Sequence, residues 1–278
     1  MESLSREDGT TLHYISLGQG EKTLVFLHGW TASVREWLPF ASELAQNHRV
    51  VCWDARGHGA HTYQPDSETS LPAMATDLES LLTHLNINDA ILVGHSMGAL
   101  TAWEYIRQYG QQRLAGLCLI DQSPKLVTDQ HWSHGVYSNF DSQRNQRFLQ
   151  RLTEDFPEAV LELIGQGMNL RSRQNYEQNS RGFQQMREYL EQLPGALLTR
   201  CWDSITQQDY RPVLAAIERP ALLIYGDQSQ FYSAELQQWV HQQISGSELH
   251  IYENSDHSPH LWHKERFIYD LNRFVDAL

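Results

Sequence analysis

Residues 90–109 read "AILVGHSMGALTAWEYIRQY", and the folding of this stretch decides the rest. "AILV" is an unbroken apolar run, the mark of a strand covered on both faces. "ALTAWEYIRQY" reads as the amphipathic helix that follows. Between them lies Gly94-His95-Ser96-Met97-Gly98, a Gly-x-Ser-x-Gly pattern. A serine at a sharp strand-to-helix turn takes a strained backbone, and side chains at the two glycine positions would collide with neighbouring elements. Such a turn lifts the Ser96 hydroxyl above the sheet. The helix starting near Met97 then offers its N-terminal amides and positive dipole end to a developing oxyanion. The five-residue pattern alone is weak; between this strand and this helix it reads as a nucleophile elbow.

Outward from the elbow, short apolar runs alternate with longer amphipathic stretches, the pattern of a parallel sheet covered by helices. Residues 22–29, 48–54, 90–96, 114–121, 220–226 and 247–253 read as buried strands. Residues 10–18 alternate like a half-exposed strand, expected in an antiparallel pair at the sheet edge. Helices are expected near 34–46, 72–85, 97–109, 233–244 and 263–277. Residues 125–218 hold helix-like segments and no convincing strand. They read as a helical cap, or lid, inserted into a core made of 1–124 and 219–278.

Composition narrows the function classes. The 278 residues are 41% hydrophobic, with eight Trp and twelve Tyr, as a folded globular chain requires. A net charge of −13 and no Lys/Arg cluster disfavour nucleic acid and anionic membranes. Three cysteines cannot form a disulfide framework, and Cys52 and Cys118 sit in apolar runs as small buried hydrophobes. "MESLSREDGT" lacks the pattern of a secretory signal, and no apolar run is long enough to span a bilayer. The expectation is a cytoplasmic monomer or homodimer.

Three further stretches carry a family resemblance. "FLHGW" (26–30) resembles the His-Gly loop after the third strand of α/β-hydrolases. "DARGHG" (54–59) is similar to their Asp-x-Arg-Gly-x-Gly turn, and "SDHSPHLWHKERFIYDLNRFV" to their terminal histidine loop and last helix. With the elbow, the likeness covers nearly the whole chain. It implies an α/β-hydrolase fold: a mostly parallel eight-stranded sheet flanked by helices, with a helical lid after strand six. It also implies Ser96 as nucleophile, His257 as general base, and the amides of Trp30 and Met97 as oxyanion donors. The activity implied is that of a serine hydrolase acting on small-to-medium acyl esters or thioesters, with a small-molecule substrate and no cofactor. Carbon–carbon bond hydrolysis, or ligand binding without turnover, are the alternatives.

The acid of the triad is the departure. In most of the family it stands three residues after the glycine of strand seven, and counting from Gly226 gives Ser229, which cannot balance an imidazolium. Asp121, ending "LCLID", takes the position some relatives use instead. Asp227 is the other candidate, its plainer role being to bind nearby amides in a turn. His257, His260 and His263 recur at intervals of three, but read as one catalytic histidine and two at a helix start, with no metal. His95 is expected to pack away from the nucleophile, His58 and His61 to lie in a loop, and Asp256 in a turn. Of the aromatics Trp132, Tyr137, Phe140 and Trp202 in the inserted region, some could line an acyl pocket.

Overall fold

The computed structural model describes residues 1–6, 9–60 and 68–278; His61 lies outside them. Eight strands form one sheet in the order β1-β2-β4-β3-β5-β6-β7-β8. They are β1 (Glu2–Ser5), β2 (Thr11–Leu17), β3 (Thr23–Leu27), β4 (Arg49–Asp54), β5 (Ala90–His95), β6 (Leu114–Ile120), β7 (Ala221–Gly226) and β8 (Glu248–Tyr252). From β4 to β8 every neighbouring pair is parallel; β2 runs antiparallel to both β4 and β1.

The expected antiparallel pair at the sheet edge is β1 with β2, its register pairing Glu2 with Tyr14 and Ser5 with Thr11. The sequence reading does not include β1. "ESLS" is four residues long and mostly exposed, so it carries no apolar alternation to read.

The central strands are apolar throughout because each face meets a different core. In β3, Leu24 and Phe26 point to one side, while Val25 and Leu27 point to the other. β4, β5 and β7 alternate in step: Cys52, Val93 and Ile224 share the first face, and Val51, Leu92 and Leu223 the second. The first face is covered by α1 (Leu38–Leu44) and the C-terminal helix, the second by α2 (Leu71–His84) and α3 (Met97–Tyr109). Fully burying one such Leu, Ile or Val stabilises by roughly 1.5–3 kcal/mol. The three cysteines are free and buried.

Six α-helices fall between β6 and β7: α4 (Ser142–Glu154), α5 (Phe156–Gly165), α6 (Leu170–Glu177), α7 (Arg181–Leu190), α8 (Gly195–Thr206) and α9 (Arg211–Leu214). Local chemistry starts three of them. The side chains of Asp141, Asp155 and Asn169 accept from the backbone amides of Arg144, Glu158 and Ser172. After β7 come α10 (Ala234–Gln243), then, past β8, α11 (Pro259–Trp262) and α12 (Lys264–Asp276). No described helix is long and apolar enough to cross a membrane.

At the elbow, Ser96 has φ 52° and ψ −115°. A Cβ on Gly98 would stand 2.0 Å from the Leu27 carbonyl oxygen, and one on Gly94 would stand 2.6 Å from the Gly98 backbone. Helix α3 therefore packs on β3 and β5 only while both positions are glycine. Gly98→Ala should cost on the order of 1–3 kcal/mol, the penalty of overpacking a core. Calorimetry should show a melting temperature several degrees lower; an unchanged value would contradict the close approach.

Candidate active site

The parallel strands deliver their C-terminal ends to one edge of the sheet, where open α/β sheets gather ligands. His28 follows β3, Ser96 follows β5 and Asp121 follows β6, while His257 lies on the loop between β8 and α11.

Asp121 is fully buried with φ 45°, its own amide donating to the Ile224 carbonyl at 2.8 Å. Its Oδ2 accepts the Gly226 amide at 3.0 Å. Its Oδ1 accepts the Ser229 hydroxyl at 2.9 Å and faces His257 Nδ1 at 3.1 Å. Ser229 thus stands where the usual acid is expected and donates to the Asp121 carboxylate. A second carboxylate there would sit against Asp121 with like charge. Asp227 is exposed, and its Oδ1 accepts the Ser255 amide at 3.3 Å, the turn-binding role of a loop aspartate. It does not reach His257.

His257 is held from several sides. Its amide donates to Gln230 Oε1 at 2.8 Å, and Phe231 meets its ring edge-on with centroids 4.6 Å apart. Gly226 lets this loop lie close, since a Cβ there would fall 2.1 Å from the Asp256 carbonyl oxygen. Asp256 itself accepts the Ser258 amide at 2.9 Å, a turn contact. Burial pushes the His257 pKa below the ordinary imidazole value, and the hydrogen bond and charge of Asp121 only partly oppose this. The imidazole is therefore neutral near pH 7, with Nδ1–H on Asp121 and Nε2 free to take a proton.

Ser96 and His257 line one cavity of about 640 Å³. Ser96 Oγ makes no hydrogen bond with His257; catalytic contacts are often long until substrate is bound. The amides of Trp30 and Met97 have no partner among the described residues, whereas the Gly29 amide is taken by Glu36. His28 is oriented by two backbone contacts: Nδ1–H donates to the Gly29 carbonyl at 2.8 Å and Nε2 accepts the Ala55 amide at 3.0 Å. Those bonds define its neutral tautomer and shape the loop that presents Trp30.

The Trp30 indole donates to the Leu198 carbonyl at 3.0 Å and packs on Trp202, tying this loop to α8. Trp202 lines the cavity. Tyr137 and Phe140 line a neighbouring one, and Trp132 packs on Trp239. Gln230, Phe231 and Tyr232 also reach the site, although nothing in their sequence marks them.

The three histidines of the terminal loop do not converge. His257 faces Asp121, His260 Nε2 faces Glu36 Oε1 at 3.0 Å, and His263 Nε2 faces the Glu253 carbonyl at 2.8 Å. Among the described residues the one group with metal-ligand atoms close together is Glu36, His95 and His260. Its carboxylate oxygen lies 2.5 Å from His95 Nδ1, at ion-pair distance, and 3.0 Å from His260 Nε2, a hydrogen bond. His95 is buried but does not pack away from Ser96: it lines the same cavity, and its ring links polar groups instead of packing among apolar ones. His58 is also buried, with Nδ1 2.8 Å from the Arg56 carbonyl.

The alpha/beta hydrolase fold model matches residues 22–264. The chain belongs to this family. It is a hydrolase of that family, and its similarities run the length of the chain. It is 25% identical to a non-heme chloroperoxidase of Kitasatospora aureofaciens, covering 99% of this chain and 100% of that protein. It is 26% identical to a pimeloyl-[acyl-carrier protein] methyl ester esterase of Nitrosospira multiformis, covering 95% and 98%. Among solved structures, an esterase from Exiguobacterium antarcticum superposes with a TM-score of 0.84 at 21% identity, covering 99% of this chain and 98% of that one.

Two measurements check the geometry. Asp121→Asn should slow fluorophosphonate labelling of Ser96 by about 1,000-fold or more, as loss of a triad acid does. Asp227→Asn should stay within about twofold, as an ordinary surface change does; the opposite ranking would exchange their roles. For the pH dependence, a histidine can act as a base only when neutral, and the His257 pKa is lowered. The acid limb of kcat/KM should accordingly have its midpoint below 6.5, with activity lost as pH falls through it. A midpoint above 6.5 would contradict the buried site.

Proposed function

We propose that this hydrolase cleaves small-to-medium acyl esters or thioesters through an acyl-enzyme on Ser96. The observation that carries the reading is the Asp121–His257 contact at 3.1 Å, beside a cavity that Ser96 also lines. His257 Nε2 takes the proton of Ser96 as its oxygen attacks the carbonyl carbon. Asp121 orients the imidazole and stabilises its charged form without itself taking the proton. The amides of Trp30 and Met97 hold the oxyanion, each such donor being worth on the order of 3 kcal/mol. The tetrahedral adduct expels the alcohol or thiol, which leaves with the proton from His257. Water, deprotonated by the same nitrogen, then attacks the acyl-enzyme and frees the acid.

The acyl assignment rests on the cavity walls. Leu126, Val136, Val160, Leu163, Leu190 and Ile205 line it, so an apolar chain loses little by entering. On this reading residues 125–218 form the lid over a core of 1–124 and 219–278, excluding water from the acyl-enzyme. Carbon–carbon bond hydrolysis would need a cation for the substrate carboxylate. Arg35 is the single Lys or Arg among the described lining residues, and it shares the wall with Glu36 and Asp256. That balance favours the acyl reading.

The test is a series of nitrophenyl esters and acyl thioesters of rising chain length, with intact mass used to trap the acyl-enzyme. A rise in kcat/KM to a medium chain, then a fall, is expected. Leu163→Trp should move the optimum to shorter chains, since each methylene excluded from an apolar pocket costs roughly 10-fold or more. An adduct on a residue other than Ser96, or no turnover of any ester or thioester, would overturn the assignment.

A further inference from the structure

The site stands on a polar group that the triad does not use. Glu36, in the helical turn Val34–Glu36, has a nearly buried side chain, 6% exposed. Its Oε2 accepts the Gly29 amide at 2.9 Å, in the loop that presents the Trp30 oxyanion donor. Its Oε1 lies 2.5 Å from His95 Nδ1, beside the nucleophile, and 3.0 Å from His260 Nε2, on α11. His95 Nε2 in turn lies 2.9 Å from the carbonyl oxygen of His257. One carboxylate thereby touches the oxyanion loop, the elbow and the segment that follows the base.

The proton inventory is constrained. A carbonyl oxygen only accepts, so His95 Nε2 carries a proton. A carboxylate that already accepts from Gly29 and His260 Nε2–H is left with Oε1 facing His95 Nδ1 at ion-pair distance. We propose that Glu36 is a positioning residue: its carboxylate keeps His95 as an imidazolium, clamping the oxyanion loop to the base loop and placing a fixed positive charge beside His257. This rests on the assignment of Ser96 and His257 above.

Electrostatics agree with the geometry. Burial alone would neutralise His95, but the Glu36 charge overcomes it and holds the pKa above the ordinary value. Burial opposes ionisation of Glu36 as well, yet His95 and His260 hold its carboxyl well below the usual range. His260, pushed down to about 4 mainly by burial, stays neutral and stacks on Trp37 with centroids 4.9 Å apart. Besides Glu36, the charged or titratable groups facing His95 are Asp121 from β6, His28 after β3, and His257 and His260 from the terminal loop. Those facing His257 are Asp121, His95, Asp256, His260 and Tyr232, whose phenol is kept protonated by burial. The His95 charge lowers the His257 pKa and so extends the active base form toward acid.

The experiment follows steady-state pH profiles of wild type, Glu36→Gln, Glu36→Asp and His95→Gln on one activated ester, with fluorophosphonate labelling of Ser96 alongside. Glu36→Gln should lower kcat about 10- to 100-fold, the scale of misplaced catalytic groups, with little change in KM. With His95 neutral, the acid limb should rise by up to about one pH unit. His95→Gln keeps a donor for the His257 carbonyl and should raise the limb likewise, while Glu36→Asp should restore part of kcat. An acid limb unmoved in both neutral variants would overturn the proposal. Should the variants not fold, nitrogen-15 spectra of the wild-type histidines decide: His95 protonated on both nitrogens at pH 8 supports the pair, and a neutral His95 overturns it. Wild type whose Ser96 does not label would overturn the site assignment and this inference together, which separates that failure from the others.

Discussion

The left-handed backbone at Ser96 is the constraint on which the rest of the site depends. A non-glycine residue at φ 52° stores strain of roughly 1–3 kcal/mol and persists only where its surroundings hold it. Here the Ser96 amide donates to the Ile120 carbonyl at 3.0 Å, and its own carbonyl accepts from Ala99 and Leu100 at the start of α3. The same turn brings Gly98 against β3, which sets the Met97 amide at the edge from which the Trp30 loop departs. Asp121 repeats the device one strand over, with φ 45° and an amide anchored to β7. Two strained residues at neighbouring strand ends aim a serine hydroxyl and a carboxylate into one region.

Buried carboxylates then organise the histidines. Asp121 accepts three hydrogen bonds, and Glu36 accepts two and faces the His95 ring at ion-pair distance, which is how buried polar groups are tolerated away from water. Their partners differ in outcome. His257, beside Asp121, is kept neutral by burial and retains a free nitrogen. His95, beside Glu36, has its pKa held above the ordinary value by that carboxylate. Ser229 fits this arrangement: a hydroxyl adds a donor to Asp121, where another carboxylate would add repulsion.

Legibility in the sequence followed how local each signal was. Ser96 was readable because its turn is encoded in five consecutive residues between a strand and a helix. The proposed base, His257, is reached through the resemblance of its loop, and the proposed acid, Asp121, through the absence of an acid at position 229. Glu36 gave no signal, because a glutamate in "VREW" looks like any solvated helix residue. The polar link through His95 was equally hidden, since its partners lie 59 or more positions away, at Glu36 and in the terminal loop. Strand β1 was invisible for a different reason: four mostly exposed residues have no periodicity, and pairing with β2 alone makes them a strand.

By itself the sequence determined the alternation of buried strands and helices, the elbow and the region of helices between β6 and β7. Each of these rests on local hydrophobic period or local backbone sterics, which are properties of short windows. The tertiary structure decided which carboxylate meets which imidazole, which amides stay unpaired, and which walls close the cavity. Those depend on distances between strand ends that are remote in the chain, and a shift of little more than an ångström would break the hydrogen bonds that define them.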